Sequence, residues 1–115
     1  MIPSSLVAAS LKPFILSVLQ HGPNYGYEII QKVHDITDGD LSWTTSTLYP
    51  VLHRLENEGL LESFWQFVEK GPDRKYYRLT KKGVARLEQE KKNWLSIHNA
   101  LIRLWMPNAE LYPGS

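Results

Sequence analysis

Apolar side chains recur along this chain at two spacings, and the switch between them marks the elements. From Ser4 to Gln20 they recur at helical spacing, with Phe14, Ile15, Leu16, Val18 and Leu19 after Pro13. Proline suits a first turn, so the helix either starts near Lys12 or is an earlier one kinked at Pro13. His21, Gly22 and Pro23 end it. Asn24 is a good N-cap for a second helix, in which Tyr27, Ile29, Ile30 and Val33 recur to about Ile36. Asp38, Gly39 and Asp40 predict a turn. Thr44 is the next cap, and Leu48, Val51, Leu52 and Leu55 line a third helix ending near Glu58. Gly59 suits the left-handed residue past its end. Pro50 removes one backbone donor inside this helix and is expected to distort its first turns.

Beyond Gly59 the residues turn β-branched and aromatic. Leu60 to Val68 predicts a strand, Glu69 to Arg74 with Gly71 and Pro72 a turn, and Lys75 to Leu79 a second strand. Tyr77 alternates with Leu79, which places Tyr77 inside and Tyr76 and Arg78 outside. Thr80 caps a last helix through Val84, Leu87, Trp94, Ile97, Leu101, Leu104 and Trp105 to about Met106, where Pro107 stops it. Such a helix is about 40 Å long. Three helices, a two-stranded hairpin and a long helix make a mainly α, α+β layout, that of a winged helix-turn-helix. The expected divisions are 1–79 for the winged unit with its N-terminal helix, 80–106 for a dimerisation helix and 107–115 for a flexible tail.

Composition narrows the chemistry. The 115 residues include no cysteine, which removes disulfides, thiolate zinc sites and thiol nucleophiles, and fits a cytoplasmic address. No apolar stretch reaches the length of a membrane span, and Met1 to Leu11 lacks the pattern of a signal peptide. Net charge is only +1. Its distribution is uneven: Lys70 to Arg86 holds seven bases and one acid, whereas Glu28 to Glu69 holds eight acids and two bases. A local cationic patch can bind a polyanion whatever the total. Lys81 and Lys82 oppose the macrodipole at the start of the last helix, which nearby phosphates would offset.

No catalytic constellation is present. His53 and Glu56 lack a third metal ligand, and Asp35, Asp38 and Asp40 are followed by Ser46 where a calcium loop closes with Glu. The expectation is no enzyme, no metal and no cofactor. The third helix is more informative. It opens on Thr44, Thr45, Ser46 and Thr47, followed by Tyr49. A cap needs one hydroxyl, and four in a row suit a groove of duplex DNA, where hydroxyls meet phosphates and base edges. At the hairpin tip, Lys70, Arg74 and Lys75 would neutralise phosphates.

Three ordered blocks resemble the PadR family of transcriptional regulators. Gly22, Pro23, Gly26, Tyr27, Glu28 and Ile29 match its GP-x-x-GYEI pattern. Thr47, Leu48, Tyr49, Pro50, Leu52, Arg54, Leu55, Glu56, Gly59 and Leu60 match TLYP-x-L-x-RLE-x-x-GL. Arg74, Lys75, Tyr76, Tyr77, Arg78, Leu79, Thr80 and Gly83 match RKYYRLT-x-x-G. The resemblance spans about Pro13 to Trp105. It implies a homodimeric repressor that releases DNA on binding a small effector, with the TLYP helix in the major groove and Asn24 and Tyr25 at the phosphate backbone. Thr44, Thr45 and Ser46 replace the Ser-Pro-Gly of many members, so operator preference does not carry over.

The last helix supports a dimer on physical grounds. Trp94, Ile97, Leu101, Leu104 and Trp105 form a stripe that a small three-helix core would leave largely wet, at ~25 cal/mol per Å². A twofold pair sets two reading helices about 34 Å apart, so the expected operator is an inverted repeat. The family resemblance adds a cavity for flat aromatic effectors, with Trp94 stacking, His98 one turn on, and Leu6 and Pro13 as walls. A winged-helix module that binds protein and never DNA is the alternative reading, and salt dependence separates the two.

Overall fold

The computed structural model describes residues 2–108. Of the expected tail 107–115, residues 109–115 lie outside the described residues. The chain forms α1 (Ser4–Leu19), β1 (Asn24–Tyr25), α2 (Gly26–Ile36), α3 (Thr45–Asn57), β2 (Leu61–Gln66), β3 (Arg74–Leu79) and α4 (Lys81–Trp105).

Helix α1 is a single element that begins at Ser4 rather than near Lys12 and runs through Pro13, the earlier-starting helix of the two alternatives. Proline removes one donor there. Burial of Leu11, Ile15, Leu16 and Leu19 holds residues on both sides of it in one face. Lys12 adds an ion pair to Glu90 of α4 at 3.1 Å. Pro50 likewise leaves α3 continuous, with Leu48, Val51, Leu52 and Leu55 all buried.

Asn24 is not the cap of α2. The N-cap position is Tyr25, at φ −109° and ψ 161°, and the Asn24 carboxamide oxygen accepts from the Tyr25 N–H at 3.0 Å instead. The reason is tertiary. Asn24 and Tyr25 pair antiparallel with β3, opposite Tyr77 and Tyr76, and the helix starts only where that pairing ends. The expected two-stranded wing therefore belongs to a three-stranded sheet, ordered β1-β3-β2.

The start of α4 is bolted to the turn after α3. Thr80 donates its N–H to the Leu60 carbonyl at 3.1 Å and its hydroxyl to the Gly59 carbonyl at 2.6 Å. The same hydroxyl accepts from the Gly83 N–H at 3.0 Å, which is the cap the sequence anticipates. Lys82 donates to the Glu58 carbonyl at 2.8 Å. That carbonyl is at the C-terminal, negative end of α3, so Lys82 is stabilised there without any phosphate.

The core lies where α1, α2, α3 and the inner face of the sheet meet. Tyr77 is fully buried within it, as the strand alternation requires. Its hydroxyl has no hydrogen-bond partner among the described residues. Burial, then the nearby Glu56 carboxylate and Tyr49, push its pKa up to about 12. The raised value carries stability that is complete below pH ~10 and is lost as pH climbs toward the folded value. Tyr77→Phe is thus expected to hold or raise stability at pH 7. It should also delay alkaline unfolding by on the order of 2 kcal/mol near pH 12. Paired urea melts at pH 7 and 11.5 check this; equal pH dependence in both proteins would contradict it.

Candidate nucleic-acid interface

The first turn of α3 is shaped by its hydroxyls. Thr44 Oγ1 accepts from the Thr47 N–H at 3.2 Å, satisfying one of the helix's free donors. It also lies 3.0 Å from Ser46 Oγ and 3.1 Å from Thr47 Oγ1. Thr44, Thr45, Ser46 and Thr47 are all exposed, so the turn presents a small network of hydroxyls at the positive end of the helix.

Tyr49 differs from these four. It is half-buried, and its ring lies so close over Gly26 that a Cβ there would sit 2.6 Å from the phenol oxygen and 2.8 Å from Cζ. Glycine at the start of α2 is what leaves room for the Tyr49 ring. Tyr49 joins the two helices rather than standing free beside the hydroxyls.

Strand pairing brings together residues far apart in sequence. Because β1 lies beside β3, the Arg74 guanidinium rests 4.5 Å above the Tyr25 ring. Tyr25 packs on Tyr76 at 5.3 Å, Tyr76 stacks on Phe64 at 5.7 Å, and Arg78 covers Phe64 at 4.8 Å. This ladder of rings and cations stiffens the outer face of the sheet. Tyr25 and Arg74 are thus in contact, with Asn24 beside Tyr25 on the edge strand β1 and Arg74 at the wing end of the central strand β3. Lys70 is in the exposed wing loop, which the Asp73 carboxylate closes by accepting from the Val68 N–H at 3.3 Å. Lys75 is half-buried, its ammonium 5.6 Å from the Tyr77 ring.

Two members of the cationic run are engaged within the chain. Arg78 pairs with Glu62 at 2.6 Å and Lys82 is held by the α3 carboxyl end, which leaves Lys70, Arg74 and Lys75 as the wing's cations. Trp65 shares the strand alternation of Leu61 and Ser63. It is 67% exposed on β2, and Phe67 just beyond is 78% exposed.

Trp94 looks onto a groove between α1 and α2 of about 750 Å³, with Pro13, Phe14, Val18 and Ile36 among its walls and Lys32 and Asp35 at its rim. Leu6 lines an adjoining cavity of about 520 Å³ that Trp94 also borders. The fold therefore gathers Trp94, Pro13 and Leu6 about one helix face, while His98 borders neither cavity. Along α4, Trp94, Ile97, Leu101, Leu104 and Trp105 are all exposed in the single chain, with Leu104 at 78%.

Helices α2 and α3 with the β2–β3 wing define a winged-helix protein. The family model for the transcriptional regulator PadR-like family matches residues 15–89, and the chain belongs to that family. It is 34% identical over 110 residues to an uncharacterized protein of Lysinibacillus sphaericus, covering 96% of this chain and all of that one. A solved transcriptional regulator from Clostridium thermocellum superposes with a TM-score of 0.79 at 30% identity, over 92% of this chain and 99% of that chain. A PadR family transcriptional regulator from Eggerthella lenta gives 0.75 at 32% identity, over 90% and 88%. Among the described residues no helix is long and apolar enough to cross a membrane.

Proposed function

We propose that this chain is a homodimeric repressor acting in the cytoplasm. It binds an inverted-repeat operator and is released from it by a small planar aromatic compound. The observation that carries the DNA reading is the exposed hydroxyl turn, Thr44 to Thr47, at the N-terminus of α3, on a fold whose wing carries Lys70, Arg74 and Lys75. Residues 1–79 form the reading unit, with α3 in the major groove and Asn24, Tyr25 and the wing cations on phosphates. Residues 80–106 form the dimer helix, and the exposed stripe from Trp94 to Trp105 supports this. The effector reading is supported by the apolar groove that Trp94 borders beside Pro13. An indole face favours flat or cationic rings.

Selection from a random duplex pool, followed by salt titration, tests the reading. Binding affinity should fall with a log–log slope of about −0.9 per phosphate neutralised, and Lys75→Gln should reduce that slope by about 0.9. A planar cationic dye should quench tryptophan emission and release the duplex, and Trp94→Ala should abolish both effects. Failure to select any duplex at low salt would leave the protein-interaction module as the reading.

A further inference from the structure

One side-chain bond joins the wing to α3. Ser63 of β2 donates its hydroxyl to Glu56 Oε2 at 2.5 Å, the short separation of a bond to a carboxylate. Both side chains are half-buried. Ser63 stands opposite Tyr77 in the pairing of β2 with β3, and Tyr77 is fully buried. Two residues further out on the same face, Trp65 is 67% exposed. The bond therefore sits where the core ends. Among the described residues it is the outermost hydrogen bond between the wing and α3. The opposite face of the wing is tied to β1, where Tyr25 packs on Tyr76. Local preference does not account for Glu56, because a carboxylate in the last turn of α3 meets the negative end of the macrodipole. Its partner on the strand does account for it.

A DNA-binding chain of this shape has to place two separate groups on one duplex at once. The hydroxyl turn is at the start of α3, and the cations Lys70, Arg74 and Lys75 are on the wing. How β2 leaves the end of α3 sets their relative placement. From Ser63 to the end of β2 and on to Phe67 is four residues, a lever of about 13 Å at ~3.3 Å per residue. A small rotation at its base moves the cations by more than an ion pair tolerates. We propose that Ser63 and Glu56 are a positioning pair for DNA binding. Their bond holds the wing at the angle to α3 at which its cations reach phosphates while α3 occupies its own groove. Neither residue touches DNA. The proposal rests on the DNA-binding reading above and adds to it two residues that act through others. Without the bond the wing takes several angles, and association then carries the cost of ordering it.

The test uses the duplex that the wild-type protein selects from a random pool, at one fixed salt concentration. Ser63→Ala removes the donor and leaves the wing cations in the sequence. It should bind about fivefold more weakly, the loss of one net hydrogen bond. Ser63→Thr keeps a hydroxyl and suits a strand, so it should bind within about twofold of wild type. A second background separates positioning from a merely structural role. With Arg74→Gln and Lys75→Gln in place, the wing has little left to position, and adding Ser63→Ala should weaken binding by less than about twofold. A structural role would lower affinity equally in both backgrounds. Circular dichroism and melting of Ser63→Ala should stay near wild type. Unchanged affinity in Ser63→Ala, while Lys75→Gln still weakens binding, would overturn the proposal and leave DNA binding intact. Equal losses in the two backgrounds, or a threonine variant as weak as the alanine one, would do the same. A wild-type protein that selects no duplex at all would overturn both readings.

Discussion

Replacing Gly83 by alanine is expected to cost about 3 kcal/mol and roughly 10 °C in melting temperature. Propensity argues the other way, since alanine inside a helix is favoured over glycine by about 1 kcal/mol. Geometry decides. A Cβ at Gly83 would overlap the Leu60 carbonyl oxygen, a backbone atom that cannot swing aside. That oxygen also accepts from the Thr80 N–H at 3.1 Å, and the neighbouring Gly59 carbonyl accepts from the Thr80 hydroxyl at 2.6 Å. Moving α4 away to make room would break these bonds and disturb the cap at Gly83 itself. Lys81→Ala, at an exposed position two residues earlier, should stay within about 0.5 kcal/mol. Thermal melts of the two variants check the claim. Gly83→Ala melting at or above wild type would show that the turn and helix relax without loss.

Ile97→Glu combined with Leu104→Glu is expected to convert a dimer into single chains and to remove the advantage of two half-sites over one. The two side chains are 56% and 78% exposed in the isolated chain, so the substitutions should barely touch its own core. Burying each in a partner gives about 1.5–3 kcal/mol, and twofold symmetry counts each twice. A carboxylate in that position adds a desolvation penalty, so association should weaken by well over a hundredfold. Sedimentation gives the oligomeric state, and gel shifts with one and two half-sites give the consequence. A double variant that still sediments as a dimer would move the interface off α4. A wild-type chain that is monomeric at micromolar concentration would remove the inverted-repeat operator with it.

Residues whose role depends on their immediate neighbours were legible in the sequence. Thr44 and Thr80 cap α3 and α4 because a hydroxyl before a helical pattern meets a free N–H three residues on. Leu48, Val51, Leu52 and Leu55 are buried because helical spacing puts them on one face. Tyr77 is inside because strand residues alternate. The PadR blocks were readable because turn glycines, caps and core positions recur in a set order. The candidate site was only partly legible. The four hydroxyls are where their cap predicts. Tyr49 is drawn into packing by Gly26, a contact between two helices that no periodicity encodes.

What the sequence by itself determined is therefore the helices and the β2–β3 hairpin, their inner faces and the family they compose, since these follow from spacings of two to four residues. Only the tertiary structure decided that Asn24 and Tyr25 form a strand, because a two-residue strand has no period of its own and exists only against β3. The same holds for Lys82, which meets the Glu58 carbonyl across 24 residues, and for Arg74, which comes to rest on Tyr25. Trp65 kept the pattern of an inward residue and still ended in water, because the wing outruns the core that would have covered it. Local patterns report which way a side chain points, and long-range packing determines what it finds there.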